Sequence, residues 1–106
     1  MNEATHYAVW ATDRRGMADE RARVREAHRA RLREGVPGRL KVVLGGPTTD
    51  ETGVMSGSLL VVEASDIGAV RTFIAGDPYV LNGVYETVEI RPWRWGLGRI
   101  ESTTSP

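Results

Sequence analysis

The order in which strand-like and helix-like segments alternate constrains this chain most. Tyr7-Ala8-Val9-Trp10-Ala11 is short, aromatic and β-branched, and predicts a first strand. Asp19 is a candidate cap for a helix running to about Arg33, with Gly35 past its end. Val24, Ala27, His28 and Leu32 fall at helical spacing and form its expected inner stripe. Arginines and glutamates interleave on the outer face. Arg39 to Leu44 predicts a second strand, and Gly45 to Gly53 a long, turn-rich loop. Ser58 to Ala64 reads as a third strand, apolar on both parities. Ser65 or Asp66 starts a second helix with Ile67, Val70, Phe73 and Ile74 inward, ended by Gly76. Asp77-Pro78-Tyr79 is a stiff connection, because a proline keeps the preceding residue out of the helical region. Gly83 to Ile90 alternates in part and predicts a fourth strand, stopped near Pro92 and extended by Trp93-Arg94-Trp95.

The order is therefore β-α-β-β-α-β. Right-handed crossovers turn this into a split βαβ: an α+β, ferredoxin-like sandwich with a four-stranded antiparallel sheet and two helices on one face. Strands one and three are apolar on both parities, so the other face needs a cover. A second copy of the sheet is the simplest cover, which makes a homodimer the expected assembly. The 106 residues suffice for one domain, expected over residues 1–100, with a polar tail at 101–106 expected to be disordered.

Charge and composition narrow the function classes. Fourteen basic and fourteen acidic residues cancel, which argues against a globally basic nucleic-acid binder. Residues 14–39 are locally basic, yet Arg and Glu interleave there as on a solvated helix face, and no aromatic residue is present for base stacking. Nucleic acid is thus a disfavoured partner. The chain has no cysteine, so Cys-based metal sites and nucleophiles are excluded. Its two histidines lie far apart, without a metal-ligand motif or clustered carboxylates, so no metal is expected. No residue pattern calls for a cofactor. No apolar run approaches the roughly 20 residues that span a bilayer, and the first residues lack the features of a secretory signal. The expected compartment is the cytoplasm.

Few residues carry chemistry. His6 opens the first strand and reads as structural or solvent-facing. His28 lies on the inner stripe and is open to two readings, a bonded core histidine or a general acid/base, the role suited to imidazole. Asp77 sits where the chain is stiff and can orient an imidazole, although Asp before Pro is also a common turn starter. Gly45-Gly46-Pro47 lacks the spacing and lysine of a phosphate loop and reads as a turn at a pocket rim. Ser58 opens the third strand without a nucleophile-elbow motif. Trp93 and Trp95 are expected at a dimer surface or over the sheet edge.

Taken in order, Val24-Arg25-Glu26-Ala27-His28-Arg29-Ala30-Arg31-Leu32, Gly46-Pro47, Gly57-Ser58, Asp77-Pro78-Tyr79-Val80, Gly83-Val84-Tyr85 and Ile90-Arg91-Pro92-Trp93 resemble the YciI-like (YCII-related) family. The resemblance implies a dimeric α+β barrel of ferredoxin-like subunits. It implies a His–Asp pair at the active site, here His28 and Asp77, with Arg25, Gly46, Pro47, Ser58 and Tyr79 lining or shaping the cleft. The family is similar in architecture to muconolactone isomerases, and some members eliminate chloride from chlorinated hydroxyquinones. The chain departs from the family pattern in its longer polar loop from Thr48 to Ser56 and in its Trp93-Arg94-Trp95 end. The expected function is that of a small cofactor-free enzyme. It would use the pair for proton transfer, in elimination or isomerisation, on a small oxygenated, cyclic or aromatic metabolite. The alternative is a non-catalytic small-molecule binding or sensor domain using the same cleft.

Overall fold

A computed structural model describes residues 5–98. The expected tail at 101–106 lies outside the described residues. Strand β1 (Thr5–Asp13) leads into helix α1 (Ala18–Glu34), followed by the antiparallel pair β2 (Leu40–Thr49) and β3 (Met55–Ala64). Helices α2 (Ile67–Ala75) and α3 (Pro78–Leu81) then precede β4 (Tyr85–Trp93). The sheet order is β2-β3-β1-β4 and every pairing is antiparallel. This is the α+β, ferredoxin-like split βαβ, with the first and third strands central.

Register sorts the side chains between the two faces. Val9 lies opposite Leu60 on β3 and Ile90 on β4. These residues, with Tyr7, Leu40 and Val62, pack against Val70, Phe73 and Ile74 of α2 to form the main core. A second cluster of Ala11, Val24, Tyr79, Val84 and Tyr85 fills the space beneath α1 and α3. Alternation sends Trp10, Leu59 and Val61 to the opposite face, where Trp10 and Leu59 are exposed.

Several boundaries differ from the sequence reading. Asp19 is not the cap of α1: Met17 holds that position without a side-chain hydrogen bond. Asp19 and Glu20 instead lie in the first turn, where acidic side chains suit the helix dipole. Gly35 does end the helix, with φ +60°, and a Cβ there would stand 2.5 Å from the Leu40 carbonyl oxygen. Ala27 is exposed, whereas Arg21 is buried on the inner side of α1. Strand β2 continues through Gly45-Gly46-Pro47 to Thr49, so the expected long loop shrinks to a tight turn that begins at Asp50. Pro78 starts a short helix rather than only a stiff connection, because Asp77 caps it by accepting from the Tyr79 backbone N–H at 2.8 Å. Strand β4 begins at Tyr85 rather than Gly83 and passes through Pro92, which an edge strand tolerates because one side of its ladder is unpaired.

Candidate functional site

Helix α1 is the wall on which the site is built. Its 3.6-residue period places Arg21, Val24 and His28 on one side, and all three are buried. Asp77 lies at the junction of α2 and α3, fully buried, with its carboxylate turned to α1. His28 Nδ1 is 2.8 Å from Asp77 Oδ1 and 2.9 Å from Oδ2. Carboxylate oxygens accept, so Nδ1 carries the ring proton and Nε2 is left for a ligand. Oδ1 also accepts the Tyr79 N–H, so one carboxylate starts α3 and fixes the imidazole together. The Tyr79 ring stacks on the imidazole, with centroids 3.9 Å apart and planes 17° from parallel.

A second polar group lies beside this pair. Arg21 donates from Nε to Asp13 Oδ2 at 2.8 Å and from Nη2 to the Gly57 carbonyl at 2.6 Å and Ser58 Oγ at 3.0 Å. Its Nη1 donates to Tyr79 Oη at 3.3 Å, and the guanidinium carbon sits 4.5 Å from the Tyr79 ring centroid. Tyr85 Oη donates to Ser58 Oγ at 2.7 Å. Burial pushes the phenols of Tyr79 and Tyr85 above the ordinary tyrosine range, with the neighbouring Arg21 pulling the other way on both. Both phenols therefore stay neutral and serve as hydrogen-bonding groups.

A cleft of about 400 Å³ opens between α1 and β2. Arg25, His28 and Tyr79 line it from one side, and Gly46, Pro47 and Ser58, the last paired with Pro47, from the other. The structure thus brings His28, Asp77 and Tyr79 into direct contact, and it sets Arg25, Gly46, Pro47 and Ser58 around the same space. Asp77 stands behind the imidazole and is not part of the lining. The residues that sequence reasoning missed are Arg21, Asp13, Tyr85 and the outer arginines Arg29 and Arg33, which also line the cleft. Positions 21, 25, 29 and 33 are spaced by four, a row beside the inner stripe that was legible but reads equally as a solvated face. His6 lies outside this region: it is half-buried, accepts from Trp95 Nε1 at 3.4 Å and meets Trp93 edge-on. Among the described residues no group of three or more His, Asp or Glu side chains is placed to hold a metal ion. No helix among them is long and apolar enough to cross a membrane.

The four-stranded antiparallel sheet with its helices on one face matches the fold of the dimeric α+β barrel class. Within that class, the YCII-related domain family matches residues 5–94, and the chain belongs to this family. It is 32% identical to Protein YciI of Escherichia coli O6:H1, over 83% of this chain and 95% of that protein. Among solved structures, it is similar to 5-chloro-2-hydroxyhydroquinone dehydrochlorinase from Burkholderia phenoliruptrix, bound to 2,5-dihydroxybenzoquinone. The TM-score is 0.73 at 28% identity, covering 86% of this chain and 95% of that one. The cofactor-independent oxygenase SnoaB from Streptomyces nogalater shares the fold, with a TM-score of 0.52 at 18% identity and coverage of 92% and 98%.

Proposed function

We propose that the protein is a small cofactor-independent enzyme that moves a proton on an oxygenated cyclic or aromatic metabolite, in elimination or isomerisation. The observation that carries this reading is the buried contact of His28 Nδ1 with both oxygens of Asp77, on the wall of a cleft. That contact orients the ring and fixes its tautomer, which is a role of the carboxylate in other His–Asp pairs. His28 Nε2 takes a proton from a carbon or hydroxyl next to a carbonyl. The electron pair left behind either expels a leaving group, as in dehydrochlorination, or forms an enolate that is reprotonated elsewhere. Arg25 faces the same space and steadies the developing oxyanion. Ser58 offers a further polar contact, and Tyr79 holds the imidazole plane. The dehydrochlorinase similar to this chain, with its quinone ligand, supports the substrate class.

The test is turnover of hydroxyhydroquinones with and without a chlorine substituent, for the wild type, His28→Asn and Asp77→Asn. General acid–base catalysis contributes about 10²–10⁴-fold, so His28→Asn is expected to lose activity on that scale. Asp77→Asn should lose activity as well, because an amide, with one acceptor oxygen in place of two, holds the ring tautomer and orientation less firmly. Full turnover by His28→Asn ends the mechanism. Tight binding without turnover by the wild type would instead favour the second reading, a ligand-binding or sensor domain built on the same cleft.

A further inference from the structure

The arginine row on α1 has more positive charge than the proton-transfer reading uses. Arg21, Arg25, Arg29 and Arg33 all line the cleft, and no acidic residue lines it with them. Arg21 is neutralised by Asp13 behind it at 2.8 Å. Arg25 forms no ion pair within 4.0 Å among the described residues. Arg29 and Arg33 share a single carboxylate, that of Glu26, at 3.6 and 3.8 Å, and Glu26 is largely exposed on the outer side of the helix. The facing wall of Val42, Leu44, Gly45, Gly46 and Pro47 is apolar and carries no charge. One side of the slot therefore suits a flat ring, and the other presents a line of guanidinium groups in excess of the carboxylates that pair with them.

Helix geometry sets the spacing. Four residues rise about 6 Å along the axis, so Arg29 and Arg33 extend the line outward from Arg25 and His28 toward the mouth. An oxyanion on a bound ring would lie at Arg25, and a second acid group held by Arg29 and Arg33 would lie about 6–9 Å further along the helix. The planar fork of arginine matches a carboxylate better than a point charge does.

We propose that the substrate is a cyclic acid with a carboxylate about 6–9 Å from the reacting position, held by Arg29 and Arg33. This inference rests on the cleft being the substrate site proposed above, but not on the proton-transfer step itself.

The experiment is a calorimetric titration with 3-(3,4-dihydroxyphenyl)propanoate and with its neutral primary amide, which share shape and ring. Charge-assisted hydrogen bonds distinguish them, so the acid is expected to bind about 10–100-fold more tightly at low ionic strength. The preference should shrink with added salt, because the arginines are partly exposed. The double variant Arg29→Gln/Arg33→Gln should reduce the acid to the affinity of the amide and leave the amide unchanged. His28→Asn should keep the acid preference, which separates failure of the proton-transfer mechanism from failure of this inference. Equal affinities in the wild type, no binding of the acid at millimolar concentration, or a preference that survives the double arginine substitution overturns it.

Discussion

Arg21 holds Asp13, the Gly57 carbonyl, Ser58 and Tyr79 within hydrogen-bonding distance while only 4% of its surface is exposed. Removing it strands several partners together, the most costly being the Asp13 carboxylate. Breaking a buried ion pair by deleting one member costs about 3–5 kcal/mol, because the remaining charge stays buried and unpaired. Arg21→Met is therefore expected to lower the thermal midpoint sharply. Asp13→Asn added to it should recover part of the loss, since the stranded charge is then gone. Thermal unfolding of the two single variants and the double variant closes the cycle. Additive losses would mean that Arg21 and Asp13 are not energetically coupled. The sequence marks none of this. An arginine in a helix with several others reads as solvated, and its burial is visible only once Asp13 and Ser58 are known to converge on it. His28 is different: its place on the apolar stripe of α1 is legible from spacing alone. Its contact with Asp77 is not, since 49 residues separate the two.

Strand β3 shows how closely the elements must approach one another. Gly57 pairs with Thr12 of β1 and Thr48 of β2. A Cβ at Gly57 would run into the Ala11 carbonyl oxygen and would lie 2.5 Å from Thr48 Oγ1. Gly57→Ala must therefore push two strands apart, and overpacking of this kind costs about 1–3 kcal/mol. Gly46 is the internal control, because nothing lies within 4 Å of a Cβ there. Gly46→Ala should leave the thermal midpoint nearly unchanged and act, if at all, on ligand affinity through the cleft wall. A large loss from Gly46→Ala, or none from Gly57→Ala, would refute this account of the sheet. The same scale explains which elements were legible. Apolar stripes and glycine stops locate α2 from Ile67 to Ala75 and place the four strands in order. The continuation of β2 through Gly45-Gly46-Pro47 was hidden, because glycine and proline signal turns locally. Pairing with Leu60, Leu59 and Ser58 overrides that signal. Helix α3 was hidden for a related reason: it is four residues long and depends on the Asp77 cap.

At the scale of the whole fold, the helices cover one face of the sheet, and among the described residues no helix lies over the other. Trp10, Leu44 and Leu59 are 49%, 39% and 38% exposed, and alternation places Trp10 and Leu59 on that open face beside Val61. Leu44 pairs with Val61 after a bulge in β2 and also lines the cleft. The open face and the site therefore meet at one side chain. Exposed apolar patches on a sheet mark association surfaces, and a small domain gains burial by pairing. We expect these faces to join two copies of the chain in a homodimer, with the partner sheet closing the Leu44 side of the cleft. The expected solution mass is twice that of the chain. Leu59→Glu places a charge in the centre of the interface and should yield a monomer that retains the His28–Asp77 pair. Because Leu44 would lose its cover, that monomer should also bind cleft ligands more weakly than the dimer. Sedimentation equilibrium on the wild type and Leu59→Glu, with ligand titration of each, measures both effects. A wild-type monomer at micromolar concentration would refute the pairing. A Leu59→Glu monomer with undiminished ligand affinity would show that each cleft is complete within its own chain.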